Sequence, residues 1–464
     1  MSPNPVFNPD LIRRYDHAGP RYTSYPTAVQ FSEAITPTQV CQLARLSNED
    51  PIPRSLSLYV HIPFCATLCF YCACNKIVTK TTHKAAIYLD HLRREIEMYG
   101  QLFDDDRQAV QMHFGGGTPT FLQPNQLEQL ITHIGQHFRL IDDPERDYSI
   151  EIDPRTVSHH SLDQLQQMGF NRISMGVQDF NPKVQAAVHR VQSPEKTLDL
   201  LRHARALGFR STNVDLIYGL PFQSISSFSH TLDQLLEVLP DRLSIFNYAH
   251  LPHLFAPQQR IRSADLPDSA EKLGILGACI EKLTSAGYIH IGMDHFARPD
   301  DPMVRAGQDG SLHRNFQGYS THAYCELIGL GVSAISQIGT SYSQNSKDLF
   351  AYQEQIDNNQ LPVARGIELN HDDELRRYII EQLMCAGGVR LPEALSSYGI
   401  ADLDYFQAEL QKLRLLADDG LVTVTRGNHI QVTPAGRFLL RNICMVFDRY
   451  LSLHPGQSHH SRAI

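Results

Sequence analysis

Along most of the chain, short runs of β-branched and apolar residues alternate with longer stretches whose apolar positions recur every three or four residues. The short runs, at residues 56–62, 110–114, 148–152, 172–177, 212–217 and 243–248, predict strands, and the stretches at 85–99, 124–137, 162–168, 194–207 and 227–239 predict helices. In the last of these, Phe228, Leu232, Leu235 and Leu236 share one helical face. Alternation of strand and helix at this scale implies a parallel sheet with right-handed crossovers. Six such units predict an α/β fold built as an open, partial (β/α)6 barrel. A helix is expected near 269–286. Beyond a composition shift at 361–370 the pattern turns mainly helical, with helices at 373–384, 391–398 and 404–418, the last with Leu410, Leu413 and Leu416 on one face. A hairpin of 421–425 and 429–432 and a closing helix at 435–447 complete the chain. The expected organisation is an N-terminal arm at 1–50, a barrel with its extension at 51–360, and a mainly helical C-terminal domain at 361–464.

In a barrel of parallel strands, function gathers at the strands' C-terminal ends. Polar or glycine-rich residues stand at all six predicted ends: a cysteine-rich loop after the first, GGGTPT at 115–120 after the second, Glu151 and Asp153 closing the third, Gln178, Asp179 and Asn181 after the fourth, Asp215 late in the fifth, and Asn247 and His250 at the sixth. Glycines without Cβ atoms let a backbone approach a ligand closely. The triple glycine is neither a phosphate-binding P-loop nor a dinucleotide turn, because the flanking residues of those motifs are missing. A tight turn explains it as well. Glu151 and Asp215 also suit helix N-terminal caps, and Arg190 suits a solvated surface charge.

Cys65, Cys69 and Cys72 are spaced C-x3-C-x2-C, and Cys74 follows two residues later, so four of the nine cysteines fall within ten residues. Thiolates this close hold a metal centre. A structural zinc site would need a second ligand pair a dozen or more residues away, and none follows at that distance. Disulfides suit small secreted domains rather than a chain of 464 residues. Three thiolates on a four-iron cube leave one iron open to a small molecule. The formal charge of −9 argues against a general nucleic-acid binder. The weakly polar run at 327–338 is too short to span a bilayer. The first ten residues have neither the charged nor the apolar region of a secretory signal. With an odd number of cysteines, these features predict a cytoplasmic protein.

The cysteine spacing resembles that of the radical S-adenosylmethionine (SAM) enzymes. Nearly end to end, the chain resembles one family among them, the oxygen-independent coproporphyrinogen III oxidases. The resemblance is carried by PRYTSYPT at 20–27, HIPFC at 61–65, CACNK at 72–76, GGGTPT at 115–120, EIDP at 151–154 and GVQDF at 176–180. It continues through NVDLIYGLP at 213–221, GMDHFARP at 292–299, NFQGY at 315–319 and GLGVSAIS at 329–336. Ala73 stands where the family commonly has Gly, and Tyr71 where Phe is usual; neither change removes a required group.

The resemblance implies a radical SAM barrel in which Cys65, Cys69 and Cys72 ligate a 4Fe–4S cluster whose open iron binds SAM, with a second SAM beside it. Tyr59, Gly116, Glu151 and Ile335 match the contacts to the first SAM. Tyr71, Gly117, Thr118, Gln178, Arg190, Asp215 and Ala249 match those to the second. Cys74 is not expected to ligate the cluster, because a fourth thiolate would block the open iron; a redox or substrate-side role and a structural thiol are its two readings. The implied reaction decarboxylates two propionates of coproporphyrinogen III to vinyl groups through a 5′-deoxyadenosyl radical, giving protoporphyrinogen IX for haem synthesis. Arg21, Arg298 and Arg314 are the expected anchors for substrate carboxylates. A flavodoxin- or ferredoxin-type reductant is implied. No heptad seam demands association, so a monomer is expected. The other reading within the superfamily is a haem chaperone without oxidase activity. The C-terminal helices and hairpin resemble a winged helix, but their mixed charges favour a lid or cap over DNA binding.

Overall fold

The computed structural model describes residues 5–402 and 404–453. Residues 1–4, 403 and 454–464, which belong to the expected arm and C-terminal domain, lie outside the described residues. The chain gathers into two compact units, one of residues 31–267 and 324–368, the other of residues 1–30, 268–323 and 369–464. These units cut the chain differently from a division at 50 and 360. Tyr22 and Tyr25 of the N-terminal segment are buried in the same apolar core as Leu375, Ile379, Leu383 and Leu413. Burial of such side chains is worth roughly 1.5–3 kcal/mol each, enough to recruit the first thirty residues to the C-terminal segment.

The first unit is built on β1 (Leu56–Ile62), β2 (Gln108–Gly116), β3 (Asp147–Ile152), β4 (Arg172–Gln178), β5 (Ser211–Tyr218) and β6 (Arg242–Asn247), paired in parallel in chain order. Between them run α1 (His83–Gly100), α2 (Pro124–His137), α3 (His159–Gln167), α4 (Pro194–Ala206) and α5 (Ile225–Leu236). All six strands and five helices expected from the periodicity are present. Serines start three of the helices: the hydroxyls of Ser158, Ser193 and Ser224 accept from the third helical N–H of α3, α4 and α5 at 3.3, 3.1 and 3.2 Å.

The sheet extends past β1 into strands that the periodicity does not disclose. β7 (Glu326–Leu330) pairs in parallel with β1, and β8 (Ile335–Ile338), β9 (Ser341–Asn345) and β10 (Val363–Glu368) continue antiparallel. β7 and β9 are buried at every position, so they lack the alternation that marks a half-buried strand. α1 holds this extension in place. Ala85, Tyr88, Leu89, Leu92, Ile96 and Tyr99 form its buried stripe, and Glu95 lies within it. The Glu95 carboxylate accepts from Gly331 N (2.7 Å), Asn345 Nδ2 (2.6 Å) and Tyr352 OH (2.6 Å). Glu95→Ala would leave the Gly331 N–H and the Tyr352 hydroxyl buried and unpaired.

In the second unit, α6 (Ser269–Ser285), α7 (His371–Cys385), α8 (Leu391–Ser397) and α9 (Gln407–Asp418) accompany a three-stranded antiparallel sheet of Gly388–Arg390, Val422–Val424 and His429–Val432. The helix expected at 435–447 is split into a 3-10 turn, Gly436–Leu439, and a short α-helix, Leu440–Met445. At its start the backbone of Gly436 packs so tightly on Leu421 that a Cβ would lie 2.0 Å from that carbonyl oxygen. No helix among the described residues is long and apolar enough to cross a membrane.

Candidate active site

The carboxyl ends of β2–β6 and the loop after β1 surround a cleft of about 250 Å³. Pro63 ends β1, and Phe64–Cys65 then pairs with Ile77–Val78, so the intervening loop closes on itself over the strand ends. Cys65, Cys69, Cys72 and Cys74 all line the cleft. All nine cysteines are free thiols, which removes the disulfide reading. Two guanidiniums face Cys69 Sγ, Arg190 Nη1 at 3.5 Å and Arg155 Nη2 at 3.7 Å, and Thr118 Oγ1 donates to Cys65 Sγ at 3.6 Å. Lys76 Nζ donates to the carbonyls of Cys72 (3.2 Å) and Cys74 (3.3 Å). Cations around thiols favour the thiolate, the form that binds a metal. The Cys72 thiol is pulled down to about 6, first by the hydrogen bond from Cys74 and then by Lys76, while burial pushes Cys65 up to about 11.

The glycine loop is fastened to the end of β1. Gly117 N donates to Ile62 O and Thr118 N to Phe64 O, both at 2.8 Å. Gly116 has φ +113°, and a Cβ there would lie 2.6 Å from His61 Cε1; one on Gly117 would lie 2.7 Å from Pro63 C. Both positions therefore require glycine for the close approach of two backbones. Glu151 reaches across from β3, Oε2 accepting from Gly116 N at 3.2 Å and Oε1 lying 3.4 Å from His113 Nε2. Behind the loop, His61 bridges Tyr59 OH (Nδ1, 3.1 Å) and Asn75 O (Nε2, 3.1 Å). A carbonyl only accepts, so Nε2 carries the proton and Nδ1 accepts from Tyr59. Burial pushes His61 below its ordinary pKa and keeps this tautomer neutral.

On the far wall, burial alone would raise the Asp153 carboxyl, but Arg190 (3.2 Å) and Arg155 (2.6 Å) more than offset it and hold it below the usual range. Arg190 Nη2 also donates to Gly176 O at 2.5 Å. Asp215 accepts from Ser174 Oγ (2.7 Å) and Asn213 Nδ2 (2.8 Å), and burial pushes its carboxyl up. Two groups on this wall are left over: Gln178 Oε1 and Arg190 Nε are buried without partners. Buried polar atoms are rarely left unpaired. An orphaned acceptor and donor beside clustered thiols, one of them faced by two guanidiniums, fit a polar ligand seated next to a thiolate-bound centre.

Tyr71, Gly116, Gly117, Thr118, Glu151, Gln178, Arg190 and Asp215, each expected from the sequence, line this cleft with the four cysteines. Three expected residues stand off its wall. Tyr59 lies on β1 behind His61, Ile335 opens β8 near Gly329, the partner of Tyr59 in β7, and Ala249 is two residues past β6. Arg21, Arg298 and Arg314 belong to the other compact unit. There Arg21 pairs with Asp294, Arg298 lies 3.3 Å from Asp300, and Arg314 is buried 4.7 Å from the centre of the Tyr319 ring, its Nε and Nη1 unpartnered. His61, Lys76, His113 and Arg155 were not anticipated as site residues. For His113 a signal existed, since it stands two residues before Gly115 and so shares its face of β2.

The parallel barrel and its cysteine loop define the class of protein, a radical SAM protein, and the Radical SAM superfamily model matches residues 59–235. Its cofactors are a 4Fe–4S cluster and SAM. A second model, the HemN C-terminal domain, matches residues 369–439. The chain is 52% identical to the oxygen-independent coproporphyrinogen III oxidase of Pseudomonas aeruginosa over 95% of both chains, and 50% identical to that of Escherichia coli K12 over 98% of both. The solved structure of coproporphyrinogen III oxidase (HemN) from Escherichia coli, described as a radical SAM enzyme, superposes with a TM-score of 0.91 at 48% identity, covering 97% of this chain and all of that one. The chain belongs to the oxygen-independent coproporphyrinogen III oxidase family.

Proposed function

We propose that this chain converts coproporphyrinogen III to protoporphyrinogen IX without oxygen, releasing two propionate carboxyl groups as CO2 and leaving vinyl groups. The observation that carries this reading is the convergence of Cys65, Cys69 and Cys72 with Gly116 and Glu151 on one cleft, in a chain half identical to named oxidases along its length. The three cysteines hold the cluster as thiolates. Gly116 and Glu151 would hold the first SAM, together with Tyr59 and Ile335. Tyr71, Gly117, Thr118, Gln178, Arg190, Asp215 and Ala249 hold a second SAM; Asp215 suits ribose hydroxyls, and Gln178 Oε1 and Arg190 Nε supply unused polar groups.

When bound, cluster and SAM supply a one-electron cleavage that yields a carbon radical able to take a hydrogen atom from a propionate Cβ. Loss of that hydrogen, of CO2 and of one electron converts the propionate to a vinyl group. The chain's own contribution is to fix the reacting groups and exclude water. The substrate's four carboxylates call for guanidiniums, and Arg21, Arg298 and Arg314 are assigned to them; the unpartnered Nε and Nη1 of Arg314 support its assignment. The protein acts as a cytoplasmic monomer with a flavodoxin- or ferredoxin-type donor. Anaerobic turnover of coproporphyrinogen III with SAM and a reductant tests the reading, with Cys65→Ser as the inactive control. Vinyl product from the native chain alone is expected. SAM cleavage without vinyl product, or tight haem binding without turnover, overturns it.

A further inference from the structure

The last turns of α1 and α2 bring Glu97, His133 and His137 together, one ligand atom of each lying within 4.8 Å of the others. His133 and His137 are four residues apart and therefore share one face of α2. Their ring centroids are 4.7 Å apart, and His133 Nε2 is 3.4 Å from Glu97 Oε1. That separation is about the edge of a tetrahedron whose metal–ligand bonds are ~2.0–2.1 Å. The helices run against the strands, so their last turns lie at the end of the barrel opposite the cleft. None of the three residues lines the cleft.

We propose that Glu97, His133 and His137 form a second metal site, taking a divalent transition ion of the zinc type and clamping α1 to α2. Two imidazoles and one carboxylate suit such an ion, whereas magnesium and calcium favour all-oxygen shells. A water completes the tetrahedron. The His133 side chain is 16% exposed and that of Glu97 44%, so an ion reaches them from solvent without opening the fold. In the metal-free state His133 Nε2–H donates to Arg93 O at 3.1 Å; when Nε2 takes the metal, the neutral ring carries its proton on Nδ1 instead. A simple ion pair accounts for Glu97 and His133 but leaves His137 unexplained, because its ring makes no hydrogen bond among the described residues and turns toward His133. Gly100 makes room for it: a Cβ there would lie 2.8 Å from His137 Cβ.

The test uses cluster-loaded protein, so that the cleft thiols are already occupied. Native chain, His133→Gln, His137→Gln and the exposed control His160→Gln are equilibrated in zinc-buffered solution, and bound zinc and thermal stability are measured. The native chain and His160→Gln are expected to hold one zinc more than the other two and to melt higher with zinc. Zinc affinity falls at least about tenfold in the His133 and His137 variants, the loss expected even for an outer-sphere partner. Equal zinc in all four proteins overturns the proposal. Hydrogen exchange of the native chain guards against variants that fail to fold: slower exchange in residues 83–100 and 124–137 with zinc supports the clamp, and unchanged exchange overturns it.

Discussion

A methyl group on Gly116 has nowhere to go. It would press on the His61 ring from a backbone at φ +113°, a strain of roughly 1–3 kcal/mol, and would push His61 from its bridge between Tyr59 and Asn75. Gly116→Ala is therefore expected to keep its cluster iron but bind SAM at least about tenfold more weakly; an unchanged Kd in equilibrium binding would contradict this. The cysteines make a separate prediction. Anaerobically reconstituted Cys65→Ser, Cys69→Ser and Cys72→Ser are expected to lose most of their iron and Cys74→Ser to keep it, so iron loss in Cys74→Ser equal to the other three would make Cys74 a cluster ligand. These cysteines are legible in the sequence because their spacing constrains geometry within one loop. Arg155 is not, since it meets Cys69 Sγ at 3.7 Å only once β3 and the loop after β1 have converged.

At the scale of elements, α1 carries a buried acid that ties it to the edge of the sheet. Burial pushes Glu95 from 4.5 up to about 7, although Tyr352, Gly331 and Asn345 pull the other way. The folded chain thus holds a proton between those values that the unfolded chain has released. The contribution is fully present below about pH 4.5 and is lost as pH rises through 7, a swing of about 3 kcal/mol. Denaturant unfolding of the cluster-free protein should show this decline, and Glu95→Gln should flatten it; identical pH profiles for the two proteins would contradict the account. The strands and helices of the barrel are legible because each has one buried face, which leaves its period in the sequence. β7 and β9 are buried throughout and leave no period, and the close approach of Gly436 to Leu421 is one that no local pattern records.

At the scale of the molecule, one buried group of the second unit responds to acid in the sense opposite to Glu95. In the second unit His290 is buried, with Nε2–H donating to Met293 O at 3.0 Å and Nδ1 unpartnered. Burial, reinforced by Arg437, pushes it from 6.5 down to about 4. The unfolded chain takes up a proton that folded His290 refuses, so this contribution is lost as pH falls from about 6.5 to about 4. Calorimetry at pH 5 and pH 7.5 should show the second unit weakened by acid, and His290→Phe should remove much of that loss, whereas an unchanged acid response in the variant would contradict it. The sequence pattern divides the chain into consecutive blocks, but the second unit is assembled from three separated segments. Tyr22 and Tyr25 join its core across more than 340 residues, a relation that periodicity cannot carry. The central claim is that the cleft at the strand ends directs hydrogen removal from a substrate propionate. Its most direct measurement is anaerobic turnover of coproporphyrinogen III deuterated at the propionate Cβ, followed by mass analysis of the 5′-deoxyadenosine formed. One deuterium is expected in that product alongside each new vinyl group; vinyl product accompanied by unlabelled 5′-deoxyadenosine would rule out hydrogen removal from the propionate Cβ.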